Sequence, residues 1–138
     1  MTEKTEMQMT TLESGLRIVT DPVPSVETTA VGVWVAAGTR HETIEVNGIS
    51  HLLEHMAFKG TKKRTAYQIA EEMDNVGGQL NAYTSRDHTA YYAKVLKEDL
   101  PLAVDILSDI LLNATMDEEE FAREQQVVVQ EIFQSEDT

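Results

Sequence analysis

The chain has 138 residues, no cysteine, and 11 Lys+Arg against 24 Asp+Glu, a net charge of −13. A domain of this size can bury a core without disulfides, while a surface so acidic disfavours nucleic acid and favours basic peptides or cations. The absence of cysteine excludes disulfide scaffolds, thiolate–zinc sites and cysteine nucleophiles, and it fits a reducing compartment.

Residues 1–6 are polar and are expected to fray. They show neither the apolar run of a signal peptide nor the acid-poor composition of a transit peptide. No apolar stretch reaches the length of a membrane span. The expectation is a soluble cytoplasmic protein of bacterial type, with no membrane or nucleic-acid partner.

Met7–Leu12 and Leu16–Thr20 read as short strands around a Ser14-Gly15 turn. Pro22 and Pro24 break the chain over Asp21–Glu27. Thr28–Ala37 is a strand with Val31, Val33 and Val35 on one face and Trp34 on the other. Gly38–Gly48 reads as a polar loop. Ile49–Lys59 has helical spacing and stops at Gly60. Thr65 is placed to cap a helix through Val76, which Gly77-Gly78 ends. Gln79–Thr84 and Thr89–Leu96 form a hairpin about Ser85–His88. Asp99 is placed to cap a helix through Leu112, with Pro101 in its first turn. Thr115-x-x-Glu118 reads as a capping box for a last helix to about Ser135. The fold class is α+β: a two-layer α/β arrangement whose sheet is mixed but mostly antiparallel, with helices on one face.

The informative stretch is His51-Leu-Leu-Glu54-His55. At 100° per residue, His51, Glu54 and His55 share one face of a helix, and Leu52 and Leu53 are expected to point toward a core. Two imidazoles at i and i+4 can grip one metal ion, with a carboxylate between them near its water. This is the H-x-x-E-H order of metal-assisted hydrolysis, and its chance occurrence in this composition is about 0.01. The competing reading is two surface histidines on an amphipathic helix. His41 and His88 stand alone in loops and rank low as ligands.

A third ligand must be His, Asp or Glu. Residues 116–138 hold 8 acids and 1 base, so most acids there are simply solvated. Glu124 and Glu131 lie seven apart, on one helix face. Glu131 follows the apolar run Val127–Val129, yet residue chemistry ranks it only modestly above Glu120 or Glu136.

Asn47-Gly-Ile-Ser-His51-Leu-Leu-Glu54-His55-Met-Ala-Phe-Lys-Gly-Thr61 resembles the zinc motif of the pitrilysin-type, inverzincin metallopeptidases. It looks most like the branch of mitochondrial processing peptidase β subunits and their bacterial relatives. The likeness continues through Gly78–Ser85, Tyr91–Lys94, Leu100–Leu107 and Glu124–Glu131, and covers the chain from about residue 8. It implies a Zn²⁺-dependent endopeptidase in which His51, His55 and Glu131 are the metal ligands, Glu54 is the general base and Glu124 supports catalysis. It also implies that Asn81, Ala82, Tyr83 and Thr84 lie on an edge strand that pairs with an extended peptide substrate, basic peptides included; β-augmentation is a general way to bind such peptides.

Such enzymes have two homologous halves, each larger than this chain, so residues 7–138 read as the N-terminal part of the first peptidase domain. The later half's substrate-binding Arg and Tyr have no counterpart here. The missing remainder of the enzyme is then an expected partner, and self-association is expected where the cut sheet leaves an edge. Two rivals stay open: a catalytically silent, zinc-binding family subunit or fragment, and an acidic interaction module with an accidental motif.

Overall fold

The computed structural model describes residues 6–136. The frayed segment expected at 1–6 lies outside the described residues except for Glu6, which is exposed and has no regular structure. The first two strands, β1 (Gln8–Thr11) and β2 (Arg17–Thr20), pair antiparallel as an isolated hairpin.

A second sheet contains β3 (Thr28–Val35), β4 (Gln79–Thr84) and β5 (Thr89–Leu96), in the order β3-β5-β4. Both of its ladders are antiparallel. The expected mixed sheet is thus corrected among the described residues: every described ladder is antiparallel. The tight turn between β4 and β5 forces that pair antiparallel, and β3, reached through a long connection, also runs antiparallel to β5.

The register puts Val31, Ala93 and Leu80 in one row, and Val33, Tyr91 and Ala82 in the next. These residues face the helices. Gly32, Tyr92 and Asn81 make the adjacent outward row, and Trp34 is exposed on the same face. One face packed and one face open is what period-2 alternation dictates.

The helices are α1 (Ile49–Ala57), α2 (Ala66–Asn75), α3 (Leu100–Leu112) and α4 (Glu118–Glu136). The main core joins Ile69 and Met73 of α2, Tyr91, Ala93 and Val95 of β5, and Ile106, Leu107 and Ile110 of α3. A smaller core joins Leu52 and Met56 of α1 to Val128 of α4, with Phe121 packed beside it. Each such apolar side chain contributes on the order of 1.5–3 kcal/mol, and this seam locks α4 across α1. No helix of the described residues is long and apolar enough to cross a membrane.

Three local expectations are corrected. Leu53 is 41% exposed, so only Leu52 of that pair enters the core. Asp99 makes no side-chain cap, because the chain enters α3 from a 3-10 turn whose Lys97 carbonyl already accepts the Leu100 N–H. The last helix is capped by Asp117, whose Oδ1 accepts from the N–H groups of Glu119 and Glu120 at 3.0 and 3.1 Å. Thr115 instead gives its N–H and hydroxyl to the Gly60 carbonyl.

Candidate metal centre

The loop before α1 holds two short 3-10 turns, Thr39–His41 and Ile44–Val46. It is tied down where Gly38 lies against the β4–β5 turn: a Cβ there would stand 2.4 Å from the Ser85 carbonyl oxygen, so only glycine fits. Helix α1 starts after Gly48, whose φ of 90° favours glycine. Gly48 carries no side chain to cap the helix. Glu42 does so from upstream, its two oxygens accepting the Gly48 and Ser50 N–H groups at 2.7 and 2.8 Å. Burial opposes the charge of Glu42, but these backbone bonds prevail and hold its carboxyl below the usual range.

One turn into α1, His51 and His55 present their rings edge to face, with centroids 4.7 Å apart. Their Nε2 atoms are 3.1 Å apart. From α4, Glu131 Oε2 lies 3.4 Å from His51 Nε2 and 3.6 Å from His55 Nε2. Two ligands bound at about 2.0–2.1 Å to tetrahedral zinc stand about 3.3 Å apart. The triangle therefore has the edge lengths of one face of such a site. These three residues form the one His/Asp/Glu cluster suited to a metal among the described residues.

His55 is held from behind. Its Nδ1 lies 2.9 Å from Glu124 Oε2. A carboxylate can only accept, so Nδ1 donates, and Nε2 is the ring nitrogen turned to the cluster, as a metal-binding histidine requires. The other Glu124 oxygen lies 2.6 Å from Lys59 Nζ. Glu124 is only 6% exposed. Burial works against its charge, but the hydrogen bonds from Lys59 and His55 outweigh it and hold the carboxyl below the usual range.

Glu54 points to the other flank, toward the sheet. Its Oε2 accepts the Thr84 hydroxyl at 2.5 Å. Thr39, His51, Glu54, Tyr83 and Thr84 line a cleft of about 350 Å³. Beneath it, burial and then the Glu54 charge push the Tyr91 phenol up, so that it stays protonated. Strand β4 is the sheet edge beside this cleft. On it, Asn81 Oδ1 accepts the Ala82 N–H at 2.8 Å, Ala82 and Thr84 face inward, and Tyr83 faces outward with Asn81.

His51, Glu54, His55, Glu124 and Glu131 are thus brought together, with the strand Asn81–Thr84 alongside. His41 and His88 are not: His41 Nδ1 contacts Gly38, and His88 contacts Tyr83 and Ser85. Sequence reasoning gave no role of their own to Lys59, to Glu42, or to Thr84 as the partner of Glu54. Lys59 stands at i+4 from His55, a spacing that places two side chains together on a helix and could have revealed it. The Glu42 cap has no comparable local signal.

A sequence model of the family described as insulinase (peptidase family M16) matches residues 17–138. The chain is 51% identical over 127 residues to an uncharacterized zinc protease, YmxG, of Bacillus subtilis, covering 92% of this chain and 31% of that protein. It is 51% identical over 124 residues to the mitochondrial-processing peptidase subunit beta of Neurospora crassa, covering 90% of this chain and 26% of that protein. The crystal structure of a protease from Helicobacter pylori superposes with a TM-score of 0.86 at 32% identity, over 91% of this chain and 30% of that one. The chain spans under a third of the length of the curated relatives it matches. The matches agree with the resemblance carried by the motifs, and the chain belongs to the insulinase family of peptidases, family M16.

Proposed function

We propose that this chain carries the metal-holding part of a zinc-dependent endopeptidase. His51, His55 and Glu131 are its protein ligands, Glu54 is its general base, and Glu124 orients His55. The observation that carries the reading is the convergence of two imidazole nitrogens and one carboxylate oxygen at zinc-like spacing, beside a second carboxylate that faces a cleft. Relatives named as zinc proteases support it. A His₂Glu donor set with an open position is the catalytic type of zinc site.

When bound, zinc acidifies a water molecule and polarises the scissile carbonyl. Everything else is done by the chain. Thr84 occupies Oε2 of Glu54, which leaves Oε1 to take the proton of the attacking water and pass it to the departing amine. The same hydroxyl ties the base to β4. A peptide paired along Asn81-Ala82-Tyr83-Thr84 would therefore lie in fixed register with Glu54, and a substrate held this way needs little further orientation. The net charge of −13 suits basic peptides.

The test is Glu54→Gln in the purified protein. The reading expects one zinc per chain to be retained while peptide hydrolysis falls by about 10²–10⁴-fold. Loss of zinc together with activity would make Glu54 a ligand instead. Zinc without turnover in the parent would leave the silent-subunit rival standing.

A further inference from the structure

Lys59 follows the last turn of α1, four residues after His55. Its ammonium takes one oxygen of Glu124 at 2.6 Å, while the other oxygen takes His55 Nδ1 at 2.9 Å. Each Glu124 oxygen thus has its own partner. A carboxylate this deeply buried needs both, because an unmatched oxygen bears the full cost of desolvation. The Glu124 side chain is long, and two anchors on opposite oxygens fix its rotation about the last bond in a way that one cannot.

We propose that Lys59 is a positioning residue of the metal centre: by pinning Oε1 of Glu124 it keeps Oε2 on His55 Nδ1, and so keeps His55 Nε2 aimed at the point it shares with His51 and Glu131. The proposal rests on the zinc reading above. Partners of a metal-ligating histidine tune metal affinity by about 10–100-fold, and Lys59 acts one bond further out, through Glu124. The competing role is a plain staple between α1 and α4, which would stabilise the fold with no bearing on the metal.

A double-mutant cycle on zinc affinity separates the two. The probe is zinc itself, titrated into the metal-stripped protein against a chromogenic chelator. Lys59→Met, which keeps the stem and removes the charge, is expected to weaken zinc binding by about tenfold. Lys59→Arg is expected to restore most of it, since a guanidinium also holds a carboxylate. In a Glu124→Gln background, Lys59→Met is expected to change zinc affinity little further. Should Lys59→Met fail to fold, Lys59→Gln takes its place.

Unchanged zinc affinity in a folded Lys59→Met protein overturns the proposal, and so do Lys59→Met and Glu124→Gln effects that simply add. A lowered unfolding temperature of the metal-free variant with full zinc affinity assigns Lys59 to the staple. If the parent protein binds no zinc, the zinc reading itself fails, and that result is distinct from a parent that binds zinc and a variant that binds it equally well.

Discussion

Two clusters of charge both draw on the segment that joins α1 to α2. In the first, the buried Arg64 guanidinium gives Nε to Glu72, Nη1 to Asp109 and Nη2 to Asp105. Asp109 also accepts from Thr61 and Asn113, and Lys63 joins Asp105. Donors and acceptors match, and no buried side-chain polar atom among the described residues lacks a partner. In the second, His51, His55 and Glu131 turn two ring nitrogens and a carboxylate oxygen toward one another at 3.1–3.6 Å. This cluster and its flanks hold three carboxylates, Glu54, Glu124 and Glu131, and one ammonium, Lys59, which pairs with Glu124. Three formal negative charges against one positive leave −2, the complement of a divalent ion. A closed cluster stabilises the fold by itself, whereas a cluster with a surplus of carboxylates is suited to a cation.

The largest expected effect breaks the open cluster. His55→Ala should abolish stoichiometric zinc binding, as read by metal analysis, while metal-free unfolding shifts far less than for a core truncation. A variant that keeps one tightly bound zinc would move the site elsewhere.

Next comes the closed cluster. Arg64→Ala leaves Asp109 buried and uncompensated, and should cost about 3–5 kcal/mol in denaturant unfolding. The same cluster sets an acid limb. Hydrogen bonds from Lys63 and Arg64 hold Asp105 below the usual aspartate range, and Asp109, against burial, is held low by Thr61, Asn113 and Arg64. With both values lower folded than unfolded, the unfolded chain binds more protons, so stability is lost as pH falls below about 4. Asp109→Asn should flatten that limb. A limb of unchanged steepness would show that other groups carry it.

The smallest effect is expected at Glu42. Its carboxylate caps α1 through two backbone N–H groups, and Glu42→Ala should cost about 1–2 kcal/mol of stability. A neutral outcome would mean that solvent replaces the cap without penalty.

The open cluster was partly legible in the sequence because its first half is local. Helical period alone aligns His51, Glu54 and His55. The proposed third ligand is a matter of tertiary packing, and residue chemistry left Glu131 close to Glu120 and Glu136 until the motif resemblance ranked them. The sequence does carry one physical signal for it. Phe121, Glu124, Val128 and Glu131 recur at intervals of three and four, the stripe by which one helix packs on another. Two acids on a stripe otherwise used for burial mark groups that need partners, and Glu124 and Val128 are buried there.

The closed cluster was invisible in the sequence. Arg64 meets acids from α2 and α3 that no period relates to it. Thr65 caps the second helix as expected, but the start of the last helix is set by tertiary contact: Thr115 is engaged by the Gly60 carbonyl, and Asp117 caps the helix. The local hairpins β1–β2 and β4–β5, by contrast, follow from turn residues and period-2 alternation that the sequence displays, whereas the pairing of β3 with β5 spans a long connection and has no local signal.

The most direct test is an anomalous diffraction map recorded at the zinc absorption edge from crystals of the zinc-loaded protein. The account predicts one peak bounded by His51 Nε2, His55 Nε2 and a Glu131 oxygen at about 2.0–2.2 Å, with Glu124 outside the coordination shell on His55 Nδ1. A peak coordinated by Glu124 in place of Glu131, or one away from α1, would contradict it.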